Sequence, residues 1–332
     1  MCLGYAFKAK IFDYVILLLI IFISGFRYEV GYDYYNYYSM FVGNHLELEP
    51  LFMVVISLFR AWWDEPQYVF FFFSAVTISI IFYAIKKFTK YYRTSFLIYL
   101  LIPGLYLNSF SIIRQGIAIS FFLLSIYYLL YLNKRSKYLI ISMIGFMFHF
   151  SAIIPIVIVL LMRRLLAQKY SLYFHIIIMT LALLIGISGI MGLVISTIGG
   201  RYSVYSTAFV EQVSVFKIIV LFFFSLFILY SYEKNSDKNL TFLLNLYQLG
   251  IIVNFVFSDF TAVTRLSYYF LIFQTILVPR VIYTYRHQAI KLLMLTLFIV
   301  YYFGIQINAL LVDEKLDSYP KMTPYKNYFS DN

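Results

Sequence analysis

The sequence predicts an all-α fold, a polytopic integral membrane bundle of about 9–11 transmembrane helices with short re-entrant or broken helices among them. Three observations carry that expectation. The 332-residue chain is 63% hydrophobic and only 12% charged, with a mean hydropathy of +0.84, whereas a soluble domain carries roughly 25% charged residues. Its apolar residues gather into runs near the ~20 that let a helix cross a hydrocarbon core. Its basic residues gather between those runs rather than within them.

Lys8 and Lys10 precede the first run, 11–26. The pattern is like a signal peptide, but no small-x-small cleavage site stands before Arg27, so an uncleaved first span is expected. Further apolar segments cover 67–85, 95–108, 116–132, 138–162, 172–198, 214–231, 240–257, 266–283 and 291–307. The weaker stretch 51–63 carries Arg60 and is too short to span comfortably. No internal repeat or linker divides the chain, which reads as a single polytopic domain, 1–332, with an outer loop at 27–50 and an outer tail at 308–332. Gly186, Gly189 and Gly192 suit close helix packing or local bending.

The connections sort by charge. Lys8 and Lys10 form one basic cluster, and others fall at 86–93, 134–137, 163–169, 234–238 and 280–291, together holding 17 of the 26 Lys and Arg residues. The positive-inside rule places these clusters in the cytoplasm, the N-terminus with them and the C-terminus outside. The net charge of +11 thus reports orientation and gives no ground for a nucleic-acid partner. An even number of crossings must separate successive clusters. Segment 51–63 should therefore dip into the outer leaflet or lie on it, and 138–162 should form two half-helices with His149 near their turn. The 22% aromatic content fits interfacial belts, with Trp62 and Trp63 marking the outer interface.

A single cysteine, Cys2, excludes an intramolecular disulfide framework and a CxxC redox motif. The four histidines make no HxxxH or HExxH pattern and no DxD is present, so neither a metal site nor a metal-dependent nucleotide-sugar transferase is expected.

Arginine suits phosphate because its forked donors bind two oxygens at once. Arg114, followed by Gln115, lies between two spans on the outward side. Arg265 lies beside Asp259 at the outer end of another. Either could hold a pyrophosphate or pair with an acid such as Asp259 or Glu49. Arg27 and Arg201 fall on the same side, where an ordinary loop role weighs more. The Tyr-rich loop 27–50 contains Asp33, His45, Glu47 and Glu49. Glu49 stands before Pro50 at the entrance to the short element, where a carboxylate could act as general base or serve the helix N-terminus. His149 sits in a long apolar run, and an ionisable group there is either functional or hydrogen-bonded for structure.

The order of Gly31-Tyr32-Asp33, Glu49-Pro50-Leu51-Phe52, Arg114-Gln115-Gly116-Ile117-Ala118 and Phe148-His149-Phe150-Ser151-Ala152 resembles the EpsG family. These are Wzy-like bacterial polysaccharide polymerases. Arg265 with Tyr268 and Tyr269, and Pro324-Tyr325-Lys326, resemble that family's closing elements, so the likeness covers nearly the whole chain. Another known Wzy pattern, paired outer loops with an arginine followed eleven residues later by glycine, is absent.

The resemblance implies a glycosyltransferase that joins undecaprenyl-pyrophosphate-linked oligosaccharide repeat units at the outer face of the inner, cytoplasmic membrane, for O-antigen, capsule or exopolysaccharide. It implies Asp33, Glu49, Arg114, Gln115, His149 and Arg265 as functional positions. Glu49 or Asp33 would be the base, with His149 in reserve, while Arg114 and Arg265 stabilise the leaving pyrophosphate. Neither a cofactor nor a metal is called for, because the lipid pyrophosphate bond is already activated. Membrane lipids, a flippase and a chain-length regulator would be the partners. A lipid-linked oligosaccharide flippase, a membrane O-acyltransferase and an O-antigen ligase are the rival readings.

Overall fold

The computed structural model describes residues 2–43, 49–102, 104–198, 215–232, 237–284, 286–314 and 321–329. Among these, regular structure is helical, with strand-like pairing confined to two isolated bridges. The chain clusters into two compact units, Met1–Ile153 with Ala289–Asn332, and Ile154–Gln288.

In the first unit, α1 (Cys2–Gly25) carries Asp13 where its apolar stretch begins. Asp13 accepts hydrogen bonds from Arg93 Nε at 2.7 Å and from the Tyr92 hydroxyl at 2.6 Å. Tyr92 and Arg93 open α5 (Tyr92–Leu101), just after α4 (Gln67–Phe88). The Lys86 ammonium lies 5.3 Å from each of the ring centres of Tyr14, Phe82 and Tyr92, so a cation is held on aromatic faces beside the carboxylate pair. One end of the unit thus gathers the 86–93 cluster and the start of the first apolar run, as an even number of crossings requires.

Between α1 and α4 lie α2 (Tyr34–Val42) and α3 (Pro50–Trp62). With 13 residues, α3 is about 20 Å long and falls short of a hydrocarbon core of about 30 Å. Its Arg60 donates to the carbonyls of Met40, Phe41 and Gly43. These are among the carbonyls that the end of α2 leaves without helical partners, so one guanidinium fastens the last turn of α3 to that of α2.

The 95–108 stretch is not one helix, contrary to its hydropathy. α5 stops at Leu101, and a 3-10 turn forms at Leu107–Phe110. The Pro103-Gly104 pair explains the stop, since the residue before a proline is driven out of the helical region. α6 (Ile113–Leu130) and α7 (Arg135–Phe148) then pack against each other. A Cβ on Gly145 would sit 3.1 Å from Phe121 Cβ and 3.2 Å from the Ala118 carbonyl oxygen, so the bare glycine sets how closely α7 approaches α6. His149 ends α7 in extended backbone, and a 3-10 turn (Phe150–Ala152) leads into α8 (Ile153–Leu166). The break in 138–162 falls at His149.

The far end of α1 is fastened by the chain's own C-terminal segment. Tyr28 N–H donates to Lys326 O at 3.0 Å, Tyr328 N–H to Phe26 O at 2.9 Å and Gly31 N–H to Lys321 O at 3.0 Å. Lys326 Nζ meets Glu29 at 2.8 Å, and the Phe329 ring stacks on Phe22. The tail and the loop after α1 therefore share one end of the unit. Gly31 has φ +107, and a Cβ there would sit 2.8 Å from the Phe110 carbonyl oxygen. Only glycine combines that backbone with that approach.

The second unit contains most of α8, then α9 (Leu172–Ile187), α10 (Ile190–Ile198), α11 (Val215–Ser231) and α12 (Lys238–Val256). The glycine reading of 172–198 holds. Gly186 lies against the Phe255 carbonyl of α12, and Gly189, at φ +70, forms the turn between α9 and α10. After α13 (Thr261–Thr264) and a 3-10 turn (Arg265–Ser267) come α14 (Tyr268–Leu271) and α15 (Gln274–Thr284). The last two segments are bent by 41°. The final helix, α16 (Gln288–Glu314), belongs to the first unit from Ala289 and outruns the expected 291–307 stretch at both ends. Among the described residues, α4, α6, α12 and Gln288–Leu311 are long and apolar enough to cross a membrane, and the bent pair adds a fifth where it is counted as one broken span rather than a re-entrant loop. With the shorter apolar helices and the broken pair at His149, the chain is an all-α polytopic membrane protein.

Candidate functional site

Glu49 occupies the N-cap position of α3, with Pro50 as the first helical residue. A proline there is preset for the helix and sacrifices no internal bond. The Glu49 side chain makes no capping bond to its own helix. Instead, Oε2 accepts from Arg114 Nη1 at 2.6 Å, and Oε1 lies 2.7 Å from His149 Nδ1 and 3.4 Å from the Phe150 backbone N–H. Three segments distant in sequence thus converge on one carboxylate: the start of α3, the start of α6 and the break after α7.

Charge balance at this point is set by competition. Burial alone raises the Glu49 pKa, but the His149 hydrogen bond and the Arg114 charge outweigh it and bring it to about 2. An ionised carboxylate can only accept, so Nδ1 of His149 is the donor. The Glu49 side chain is 5% exposed, against 22% for Arg114 and 26% for His149. A molecule arriving from outside meets the guanidinium and the imidazole, with the carboxylate beneath both.

The surroundings hold this arrangement. The Arg114 guanidinium lies 5.9 Å from the Tyr37 ring centre and 5.6 Å from that of Phe52, where aromatic faces favour a cation. Arg114 Nε is buried and has no hydrogen-bond partner. A cluster of Tyr34, Tyr37, Phe52, Phe70, Phe73 and Phe148 packs with further apolar residues below. Phe52 stacks on Phe73 at 5.1 Å and Tyr34 on Phe70 at 4.8 Å. Part of the aromatic excess therefore builds the floor of the site, beyond the interfacial belt that composition alone suggests.

The other expected site residues are placed as follows. Asp33 stays at the N-terminus of α2, half-buried, and accepts from Asn36 Nδ2 at 3.3 Å. Gln115 is buried in the first turn of α6. Arg265 opens the 3-10 turn that follows α13 in the second unit. Arg201 lies outside the described residues, as do His45 and Glu47.

Arg27, for which a loop role weighs more than a substrate role, lies in the loop after α1. It is fully buried, and its guanidinium donates to Val30 O at 3.2 Å, Ser24 O at 2.5 Å and Phe110 O at 2.9 Å. It also lies 5.1 Å from the Phe70 ring centre and 5.0 Å from that of Phe110. Burial lowers its pKa to about 10, which leaves it a cation at neutral pH. Such a side chain pins the loop after α1 to the turn before α6 and has no face left for a substrate. Its place two residues beyond the α1 helix gave a reading by position alone no means of separating it from a ligand-facing arginine.

Tyr37 and Phe52, which flank Arg114, escaped the sequence reading because aromatics are too common in this chain to be singled out. Arg60 was visible as the lone cation in 51–63, and its role is to join two helices. Among the described residues, no three of His, Cys, Asp and Glu converge as metal ligands.

Fold and site together define a polytopic membrane protein with a carboxylate, an imidazole and a guanidinium held at the end of the unit opposite the Asp13–Arg93 pair. The EpsG family model matches residues 10–327. The chain belongs to the EpsG family, whose members are Wzy-like polymerases. No curated protein and no solved structure matches it.

Proposed function

We propose that this protein polymerises undecaprenyl-pyrophosphate-linked oligosaccharide repeat units at the outer face of the cytoplasmic membrane. The reading rests on family membership and, above all, on one observation: Glu49 shared between Arg114 and His149. In the reaction, a sugar hydroxyl of one lipid-linked unit attacks the anomeric carbon of a second lipid-linked chain. The bond from that carbon to the diphosphate oxygen breaks, and undecaprenyl pyrophosphate leaves.

His149 Nε2 takes the hydroxyl proton as general base. Glu49 is a positioning residue: it fixes the tautomer and offsets the charge that the imidazole gains. This reverses the order in which the sequence ranks the two, because a carboxyl with a pKa near 2 is a poor proton acceptor at neutral pH. Arg114, whose side chain is partly exposed, faces the diphosphate and stabilises charge developing on the leaving oxygen. The orientation rests on the basic clusters, which put the Arg27 end outside.

Deletion of the gene, followed by gel separation of surface polysaccharide, tests the reading. A polymerase leaves a core-plus-one-unit band without the ladder. Loss of every unit points to a flippase or a ligase, and an intact ladder with altered acylation points to an O-acyltransferase.

A further inference from the structure

The second unit contains a polar cleft to which the proposed chemistry assigns no role. It lies between the N-terminal turns of α9 and α12, and its walls include Lys169, Tyr170, His175, Tyr232, Thr241 and Asn245. Its empty space is about 340 Å³ counting the open mouth, while its inner end admits roughly one water-sized group.

Most of its polar groups are already committed. Asn245 Nδ2 donates to Leu166 O and Gln168 O, both at 2.8 Å, which ties the α8–α9 connection to α12. The Tyr232 hydroxyl donates to Leu277 O at 2.8 Å, and the Thr241 hydroxyl to Asp237 O at 3.1 Å. The Asp237 carboxylate serves the N–H groups of Asn239 and Leu240.

Two groups remain. His175 is 5% exposed, yet its Nδ1 is buried without a hydrogen-bond partner. Lys169 stands exposed beside the cleft that it helps to line. Both can donate, and the first turn of α9 adds positive potential there, while the N-terminus of α12 is already met by the Asp237 carboxylate. A water at the inner end would find few free partners, whereas an anion with several oxygens matches two donors at different depths.

We propose that this cleft binds a phosphate group, with one oxygen reaching His175 Nδ1 and the others held at the mouth by Lys169. The sources that share this chemistry are an anionic phospholipid headgroup and free phosphate. The site is independent of the Glu49 centre, and its failure would leave the polymerase reading untouched.

Calorimetric titration of the full-length protein in a neutral maltoside detergent tests the proposal. The probes are inorganic phosphate, a short-chain phosphatidylglycerol and, as the phosphate-free control, a short-chain diacylglycerol. Binding of phosphatidylglycerol but not phosphate identifies a lipid headgroup; binding of inorganic phosphate identifies a soluble source as well or instead. In either case Lys169→Ala should weaken binding about fivefold, the effect of one basic side chain beside an anionic headgroup. His175→Phe, which keeps ring volume and removes the nitrogens, should weaken it about tenfold. Lys169 is exposed, so its variant tests the site even if His175→Phe folds poorly. The proposal is overturned if neither phosphate-bearing probe binds, if diacylglycerol binds equally well, or if Lys169→Ala binds as the unaltered protein does.

Discussion

Glu49 Oε1 and His149 Nδ1 stand 2.7 Å apart although 100 residues separate them along the chain. The contact turns a helix-capping position and a helix break into one site, and under the proposed function it makes His149 the proton acceptor. If Glu49 works only through His149, their substitutions cannot add. His149→Gln should lower the polymerisation rate about 10²- to 10⁴-fold, Glu49→Gln should lower it strongly, and the double variant should be no worse than His149→Gln alone. Glu49→Asp, which keeps the charge, should retain more activity than Glu49→Gln. Rates from lipid-linked substrate, with protein level measured alongside, check this. Normal ladders from His149→Gln would remove the imidazole from the chemistry.

The second partner of Glu49 gives a separate expectation. Arg114→Lys keeps a positive charge but loses the planar fork and much of the stacking against Tyr37 and Phe52. Polymerisation should fall about 10²- to 10³-fold, the usual effect of removing one donor to a developing anion. Arg265→Lys is the companion measurement. Impairment in both would bring the second unit into pyrophosphate binding, and impairment in Arg114→Lys alone would assign that task to the first.

The pKa of Glu49 fixes the direction of a pH effect. The folded protein holds this carboxyl at about 2 against 4.5 for the free group. The stabilisation is therefore fully present above about pH 4.5 and is lost as pH falls from there toward 2. The contribution is on the order of 3 kcal/mol. Thermal unfolding in detergent should show a drop across that window, and the drop should shrink in Glu49→Gln. An identical pH profile in the two proteins would mean that Glu49 is not held ionised by its neighbours.

How far the site was legible in the sequence depends on which kind of information each residue carried. His149 stood out because an ionisable group within an apolar run has few structural reasons to be there, and Arg114 stood out against the outward scarcity of basic residues. Glu49 was one of the two acids that the sequence offers as a partner for Arg114, and it is the one that Arg114 meets. Its contact with His149 could not be read, because 100 residues separate them and no periodicity links such a distance. Hydropathy located most of the apolar helices but ran through Pro103-Gly104, since a window average does not register two residues that stop a helix. Arg27 and Arg114 look alike in sequence. Burial and three carbonyl partners separate them, and both are tertiary facts.

That separation is itself testable. Arg27→Gln leaves the Ser24, Val30 and Phe110 carbonyls short of donors in a buried place. It should destabilise the protein by about 3–5 kcal/mol, the usual effect of breaking a buried charged network. The lesion should appear as lost protein, with each molecule that does fold retaining its polymerase rate. A normal protein level with abolished activity would return Arg27 to the substrate.

The tail bears on topology. Lys326 Nζ meets Glu29 at 2.8 Å, and both side chains are partly exposed, so the ion pair itself contributes only about 0–1 kcal/mol. Its value is positional: the C-terminal segment and the loop after α1 must lie on one side of the membrane, which the proposed orientation makes the outer one. In a Cys2→Ser background, Glu29→Cys and Lys326→Cys together should cross-link under mild oxidation. Each alone should react with a membrane-impermeant maleimide added to intact spheroplasts. Deletion of 321–332 should cost far more stability than the charge reversal Lys326→Glu, because it removes three backbone hydrogen bonds and the Phe329 stacking along with the ion pair. Labelling of both cysteines only after permeabilisation would invert the protein in the membrane and put the Glu49 site on the cytoplasmic side, where an outer-face polymerase cannot work. Labelling of one without the other would break the clasp between the two ends of the chain.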